Sequence, residues 1–181
     1  MTKQPNLTTE RLILRPFELN DAPIIQQLVG DPAIADTTLN IPHPYLDGMA
    51  EGWIATHQPQ FEIGASVVFA ITLRTTDELI GSIGLGIERR HDRAELGYWV
   101  GVPYWGKGYC TEAGRELFAY GFTDLALNRI YSCHFTRNPA SGKVMQKLGM
   151  IQEGIARKSV KKNENYEDIV TYAILREDRI K

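Results

Sequence analysis

Residues 105–113 read Trp-Gly-Lys-Gly-Tyr-Cys-Thr-Glu-Ala, and the interpretation of the whole chain depends on this stretch. An apolar, β-rich run precedes it, and residues 109–124 follow it with apolar side chains at helical spacing. Gly106 and Gly108 let the backbone between strand and helix turn sharply and approach a ligand closely. The first helical turn adds N–H groups and the positive end of the helix dipole. The stretch therefore predicts an anion-binding turn, with a tight turn that binds no ligand as the alternative.

Two widespread phosphate-binding motifs do not fit this stretch. The dinucleotide motif Gly-x-Gly-x-x-Gly requires a third glycine at the position where residue 111 is Thr. A P-loop requires a Ser or Thr directly after its Gly-Lys pair, and residue 108 is Gly. The glycines therefore indicate a different kind of anion site.

The apolar runs around this stretch predict a mixed α+β fold. Three β-rich runs separated by polar turns predict an antiparallel meander at residues 67–73, 79–87 and 93–102. A strand at 129–135 and a helix opened by Asn138 and stopped by Gly149 follow the first predicted helix. The chain closes with a predicted strand pair at 151–160 and 166–175.

The first part of the chain adds a strand at 11–15 and a helix that begins near residues 20–23 with a capping side chain. Its predicted buried stripe is Ile24, Ile25 and Leu28. Residues 30–45 hold three prolines and predict a loop that shapes a substrate site, followed by a helix at 47–57. In total we expect one domain over residues 1–181, with a mostly antiparallel sheet of about seven strands and about four helices.

The composition excludes several classes of function. Basic and acidic residues number 20 and 22, so there is no basic excess to bind a nucleic acid. No apolar run approaches the ~18 residues of a membrane span, and residues 1–6 lack the apolar segment of a signal peptide, so we expect a cytoplasmic protein. Cys110 and Cys133 show no metal-ligand spacing, so no metal is expected. Cys133 is interpreted as a core residue and Cys110 as a small residue that opens a helix.

Two blocks of sequence together resemble a known enzyme family. Residues 95–100 (Glu-Leu-Gly-Tyr-Trp-Val), 103–108 (Pro-Tyr-Trp-Gly-Lys-Gly) and 111–113 (Thr-Glu-Ala) resemble the acetyl-CoA motif of the GNAT N-acetyltransferases. Residues 138–141 (Asn-Pro-Ala-Ser) and 147–150 (Lys-Leu-Gly-Met) resemble the family's Asn-x-x-Ser and Leu-Gly-Phe elements. The likeness is strongest to the branch of ribosomal-protein alanine and serine N-terminal acetyltransferases. Residues 9–15 at the start, and residues 153–154 and 166–175 at the end, extend the resemblance over nearly the whole chain. Pro103 departs from the family pattern, which has Gln or Arg at this position.

The resemblance implies acetyl-CoA as co-substrate, held where the sheet splays open between its fourth and fifth strands, here 93–102 and 129–135. It implies that strand backbone holds the pantetheine arm and that loop N–H groups hold the pyrophosphate. It also implies that Asn138 contacts the pantetheine amides and Lys147 the 3′-phosphate, with a helix N-cap and a solvated helix face as the alternative roles. The implied cofactor-binding residues are Val100, Val102, Gly106, Lys107, Gly108, Tyr109, Cys110, Thr111, Asn138 and Lys147.

The resemblance also assigns the two proton-transfer steps. Attack of an amine on a thioester requires that a proton leaves the amine and that the departing thiolate is neutralised. Glu95 is the implied base, with an ordered water as the alternative base or an ion pair with a neighbouring Arg as the alternative role. Ser141 is the implied acid, with capping of its own helix as the alternative.

The chain is therefore expected to transfer an acetyl group from acetyl-CoA to a primary amine by direct attack in a ternary complex. A protein N-terminal amine is the acceptor that the resemblance favours. A polyamine, amino sugar or antibiotic is the alternative acceptor, and a non-catalytic acyl-CoA-binding sensor is the alternative function. A homodimer is also expected, because members of this branch often dimerise.

Overall fold

The computed structural model describes residues 3–180, with side chains to residue 178, and contains one mixed sheet of eight strands. The strands are β1 (Leu7–Thr8), β2 (Leu12–Arg15), β3 (Ser66–Leu73), β4 (Leu79–Glu88), β5 (Arg93–Val100), β6 (Arg129–Phe135), β7 (Ile151–Lys162) and β8 (Asn165–Leu175). Their order is β1-β2-β3-β4-β5-β6-β8-β7, and β5–β6 is the one parallel pair among the described strands. The predicted mixed, mostly antiparallel fold is confirmed, and β1 is the additional strand.

Six α-helices occur within residues 3–180: α1 (Ala22–Val29), α2 (Pro32–Thr37), α3 (Met49–Ala55), α4 (His57–Glu62), α5 (Tyr109–Thr123) and α6 (Pro139–Lys147). Helix α2 interrupts the segment 30–45, which was expected to be a loop throughout. The Asp31 side chain accepts a hydrogen bond from the Ala33 amide at 2.9 Å, and Pro32 occupies the first helical position. An Asp-Pro pair of this kind starts a helix. The helix was not predicted, because three prolines in the segment favoured a loop.

Helix α1 begins where predicted, but two details of the prediction are wrong. Asp21 does not cap the helix through its side chain, because both carboxylate oxygens accept hydrogen bonds from the Arg15 guanidinium at 2.8 Å. Ile24 is 42% exposed, and the buried face consists of Ala22, Ile25 and Val29. A helix packed on one side against a sheet buries positions three and four apart, and Ile24 falls outside that stripe.

Strands β5 and β6 diverge, and this divergence positions the functional site. They pair in parallel only from Arg93–Glu95 to Arg129–Tyr131, and no further pair forms between the described residues of the two strands. The Ser132 hydroxyl donates a hydrogen bond to the Leu96 carbonyl at 2.8 Å and spans the start of the gap. The expected splay of 93–102 from 129–135 is therefore present, although β5 ends at Val100 because Val102–Tyr104 forms a 3-10 turn.

The helices cover both faces of the sheet. Helices α5 and α6 pack on one face, in a core that includes Leu117, Met145 and Leu96. Helices α1, α2 and α3 pack on the other face, in a smaller core that includes Ile25 and Ile34. None of the described helices is both long and apolar enough to span a membrane.

Candidate functional site

A cavity of about 700 Å³ opens where β5 and β6 separate. Its lining includes side chains from opposite faces of the sheet, because successive residues of a strand point to opposite faces. Trp99 packs against the smaller core beside α1, whereas Leu96 belongs to the core beneath α5, and both line the cavity. The cavity therefore passes through the gap and connects the two faces of the sheet.

The residues predicted to transfer protons both line this cavity. Glu95 lies on β5 at the last position paired with β6, and Ser141 lies in the first turn of α6. Strand alternation places the Glu95 side chain on the face that carries Trp99, and α6 lies on the opposite face. The structure thus places one candidate on each side of the gap.

Glu95 is a free carboxylate in an environment that favours its protonated form. Burial and the negative charge of Glu88 raise the pKa of Glu95. Within residues 3–178, no Lys or Arg side chain forms an ion pair with it, because Arg93 pairs with Glu88 at 2.8 Å and Arg129 pairs with Glu153. The alternative role of Glu95 as an ion-pair partner on the sheet is not what the structure shows.

Ser141 is held by a partner that sequence reasoning missed. The Tyr98 hydroxyl lies 2.7 Å from Ser141 Oγ and donates a hydrogen bond to the Ser141 carbonyl at 3.0 Å. Burial strongly raises the pKa of Tyr98, so its phenol keeps its proton at neutral pH. The signal available in the sequence was strand alternation, which places residue 98 on the face opposite Glu95.

Asn138, rather than Ser141, is the residue that caps α6. Its Oδ1 accepts a hydrogen bond from the Ser141 amide at 3.4 Å, and its Nδ2 donates to the Thr37 carbonyl at 3.3 Å. Both ends of the side chain are therefore engaged within the protein, and Asn138 does not line the cavity. Lys147 lies exposed in the last turn of α6, where the helix dipole favours a cation.

The glycine turn has the conformation that its residues predict. Gly106 and Gly108 have φ angles of 75° and 82°, in the left-handed region that side chains other than glycine disfavour. Gly108 is also the residue that precedes the first turn of α5. The backbone amides from Gly106 to Thr111 donate to no other described residue. These amides at a helix N-terminus suit the phosphate groups of a nucleotide.

Arg11 and Glu112 brace this turn, a role that the sequence did not reveal. Glu112 accepts hydrogen bonds from the Thr9 hydroxyl at 2.6 Å, the Arg11 amide at 2.8 Å and Arg11 Nε at 2.6 Å. Arg11 also donates to the Lys107 carbonyl at 3.2 Å, and its guanidinium lies 4.8 Å from the centre of the Tyr109 ring. The Lys107 side chain is exposed, and its ammonium lies 5.4 Å from the centre of the Tyr104 ring.

Backbone groups of β5 point into the gap at alternate residues. Gly101 donates to the Ile80 carbonyl on β4 at 2.9 Å, so the groups of Val100, one residue earlier, point the other way. The Val100 carbonyl accepts a hydrogen bond from Trp105 Nε1 at 2.8 Å, and one lone pair of its oxygen is therefore in use. Val102 belongs to the 3-10 turn after the strand.

The two cysteines are protonated thiols in different surroundings. Burial raises the pKa of the Cys110 thiol to about 12. Burial and the charge of Glu95 raise the pKa of Cys133. Cys133 is half-buried and lines the cavity, so its interpretation as a core residue is wrong. Within the described part of the chain, no three His, Cys, Asp or Glu side chains are grouped to hold a metal ion.

Comparisons with known proteins assign the family. The acetyltransferase (GNAT) domain matches residues 11–151. An N-acetyltransferase named p20 from Bacillus licheniformis is 36% identical over 95% of this chain and 97% of its own length. RimL, a ribosomal L7/L12 α-N-protein acetyltransferase solved with coenzyme A, has a TM-score of 0.87 at 18% identity, over 94% of this chain and 98% of its own. Spermidine N-acetyltransferase from Vibrio cholerae, solved with CoA and spermine, has a TM-score of 0.81 at 23% identity, over 96% and 100%.

The chain therefore belongs to the GNAT family and is an acetyl-CoA-dependent N-acetyltransferase. The resemblance drawn from the two sequence blocks is confirmed.

Proposed function

We propose that the protein transfers the acetyl group of acetyl-CoA to a primary amine by direct attack, with both substrates bound at once. The single observation that supports this is the cavity through the sheet, with Glu95 on one side of the gap and the Tyr98–Ser141 pair on the other. A direct transfer needs an acceptor side and a cofactor side that meet at one point. This cavity offers both.

The residues on the cofactor side fit acetyl-CoA. The amides of Gly106 to Thr111 hold the pyrophosphate, because they donate to no carbonyl of another described residue. The backbone of Leu96, Tyr98 and Val100 faces the gap and pairs with the pantetheine arm as an added strand would. Asn138 contributes indirectly, because its hydrogen bond to the Thr37 carbonyl fixes the segment beside the cavity. Lys147 binds the 3′-phosphate. Acetyl-CoA supplies a thioester, which an amine can attack once the amine is neutral.

Two groups of this chain move the protons. Glu95 accepts a proton from the amine, directly or through water, and its raised pKa makes it a stronger base than an ordinary carboxylate. Ser141, held by Tyr98, donates a proton to the sulfur as the C–S bond breaks, and its oxygen takes a proton back from water when CoA leaves. The cysteines do not carry the acetyl group, because an effective thiol nucleophile requires a lowered pKa and burial raises the pKa of both.

The acceptor is a primary amine, and the names of the relatives cover two kinds. RimL acetylates a protein N-terminus, the acceptor that the sequence resemblance favours, and the spermidine enzyme acetylates a polyamine. The test is a CoA-release assay across N-terminal peptides and small amines, with mass spectrometry of the product. Acetyl-CoA binding without CoA release for any amine would replace the proposal with the non-catalytic sensor. The homodimer stays a prediction.

A further inference from the structure

The acceptor side of the cavity, which is the side on the sheet face that carries Glu95 and Trp99, contains a single charged position. Of the described residues that line the cavity, Glu95 alone has a carboxylate, and none is a lysine or an arginine. A carboxylate in a mostly apolar site can stabilise one ammonium group before that group loses its proton. A second ammonium group on the same substrate would find no partner inside the cavity, and an unpaired buried charge is strongly unfavourable.

The remaining walls of this side are mostly apolar, although Thr37, Thr38, Asn40, Tyr45, Ser66 and Ser82 also line the cavity. Helices α1 and α3 contribute Ile25, Val29, Met49 and Trp53, and β5 contributes Trp99. The segment 37–42 adds Leu39 and Ile41. Leu39 is 40% exposed and Met49 is 39% exposed, so the cavity carries accessible apolar surface. An apolar substrate body that covers this surface stabilises the complex, because apolar area is removed from water.

A cation stands beside the loop that forms one of these walls. Lys162 Nζ donates hydrogen bonds to the Leu39 carbonyl at 3.0 Å and the Ile41 carbonyl at 2.8 Å. Within residues 3–178, no carboxylate forms an ion pair with this ammonium, because Asp36 and Glu167 both pair with Arg137. A polycationic substrate that reaches this loop would therefore meet a like charge.

We propose that the acceptor is a small primary monoamine whose body is uncharged and apolar. This inference rests on the proposed acetyl transfer and specifies its acceptor. The ammonium group of the substrate pairs with Glu95, and the apolar body contacts Trp53, Met49 and Leu39. Polyamines are poor acceptors, because the cavity has one carboxylate for two or more ammonium groups.

The matched pair butylamine and 1,4-diaminobutane tests this proposal, because the two amines share a carbon skeleton and differ by one ammonium group. We expect kcat/KM for CoA release to be higher for butylamine by on the order of 10²-fold, since the diamine must bury an unpaired charge. Phenethylamine should be acetylated at least as efficiently as butylamine. Spermidine and a tetrapeptide amide with a free N-terminus should be poorer acceptors than either monoamine.

A second carboxylate in the apolar wall should change this preference. Met49→Glu places one on the cavity wall, and Leu46→Glu is the matched control, because Leu46 is 59% exposed and does not line the cavity. We expect Met49→Glu to raise kcat/KM for the diamine relative to butylamine by roughly tenfold, and Leu46→Glu to leave the ratio unchanged.

Equal or better use of 1,4-diaminobutane, spermidine or the peptide by the unmodified protein would overturn this inference and leave the proposed acetyl transfer standing. CoA release with no amine of the panel, despite acetyl-CoA binding measured by calorimetry, would overturn both.

Discussion

The hydroxyl of Tyr98, on β5, lies 2.7 Å from the hydroxyl of Ser141, on α6. This contact joins one splayed strand to the first turn of the helix that follows the other splayed strand, and it fixes the Ser141 side chain at the cavity. A phenol that keeps its proton is a stable hydrogen-bond partner over the pH range in which an amine becomes reactive. The pair therefore provides a held hydroxyl group at the point where the two substrates meet.

The first prediction concerns Ser141. Ser141→Ala should lower kcat by roughly 10²–10⁴-fold, because the departing thiolate loses its proton donor, and should leave the Kd for acetyl-CoA nearly unchanged. Tyr98→Phe should produce a smaller loss of kcat, since the serine remains but is no longer held. Ser159→Ala, at an exposed position on β7, is the control. Steady-state kinetics and calorimetry measure these effects, and normal turnover in Ser141→Ala would leave Ser141 as a structural residue.

The second prediction concerns pH. A base must be deprotonated to act, so kcat/KM should fall as the pH decreases through the raised pKa of Glu95. The negative charge of Glu88 contributes to the raised pKa of Glu95. Glu88→Gln should therefore move the acidic limb of the pH–rate profile to lower pH, and Glu95→Gln should remove the limb. Glu164→Gln, in an exposed turn, should leave the profile unchanged. If the limb keeps its position in both Glu88→Gln and Glu95→Gln, another group is the base.

The third prediction concerns the glycine turn. Gly108 has a φ of 82°, a conformation that costs other residues about 1–2 kcal/mol and is least suited to β-branched side chains. Gly108→Val should therefore weaken acetyl-CoA binding by roughly tenfold or more. Gly154→Val is the matched control, because Gly154 lies on an exposed strand with open space around it. Affinity close to that of the unmodified protein in Gly108→Val would remove the turn from the cofactor site.

Much of the fold could be predicted from the sequence, because it is recorded in local patterns. The meander, α5, β6 and α6 are marked by apolar periodicity, by the left-handed Gly108 and Gly149 at helix ends, and by Asn138 before a proline. The placement of Glu95 and Ser141 at one cavity followed from the resemblance of two blocks that are far apart in the chain. Neither block alone contains that proximity.

The supporting contacts could not be predicted in this way, because they join residues distant in the chain without a periodic signal. Arg11 is 101 residues from Glu112 and 96 residues from Lys107, and the hydrogen bond from Asn138 to Thr37 also joins residues 101 positions apart. The role of the Tyr98 hydroxyl depends on its contact with Ser141, which forms only when α6 packs beside β5. Such contacts depend on tertiary packing, which local propensity does not encode.

The fourth prediction concerns stability. His57 packs against Phe17 and Trp53, and both of its ring nitrogens are buried without a hydrogen-bond partner among the described residues. Burial lowers the pKa of His57 to about 4, whereas the unfolded chain has a pKa of about 6.5 at this residue. The folded state therefore binds fewer protons, and the free energy of unfolding should fall by about 3 kcal/mol as the pH decreases from 6.5 to 4.

His57→Phe should remove this component of the pH dependence, because phenylalanine does not titrate. Urea unfolding at a series of pH values measures the effect. A His57→Phe curve parallel to that of the unmodified protein would show that His57 is not the acid-sensitive group.

Direct transfer from acetyl-CoA to an amine is tested most directly by the initial-velocity pattern of CoA release, with both substrates varied. We predict intersecting double-reciprocal lines, an acetylated amine as product, and no acetylated protein by mass spectrometry after incubation with acetyl-CoA alone. Parallel lines together with an acetyl group on Cys110, Cys133 or another side chain would contradict the account, because the protein would then carry the acetyl group itself.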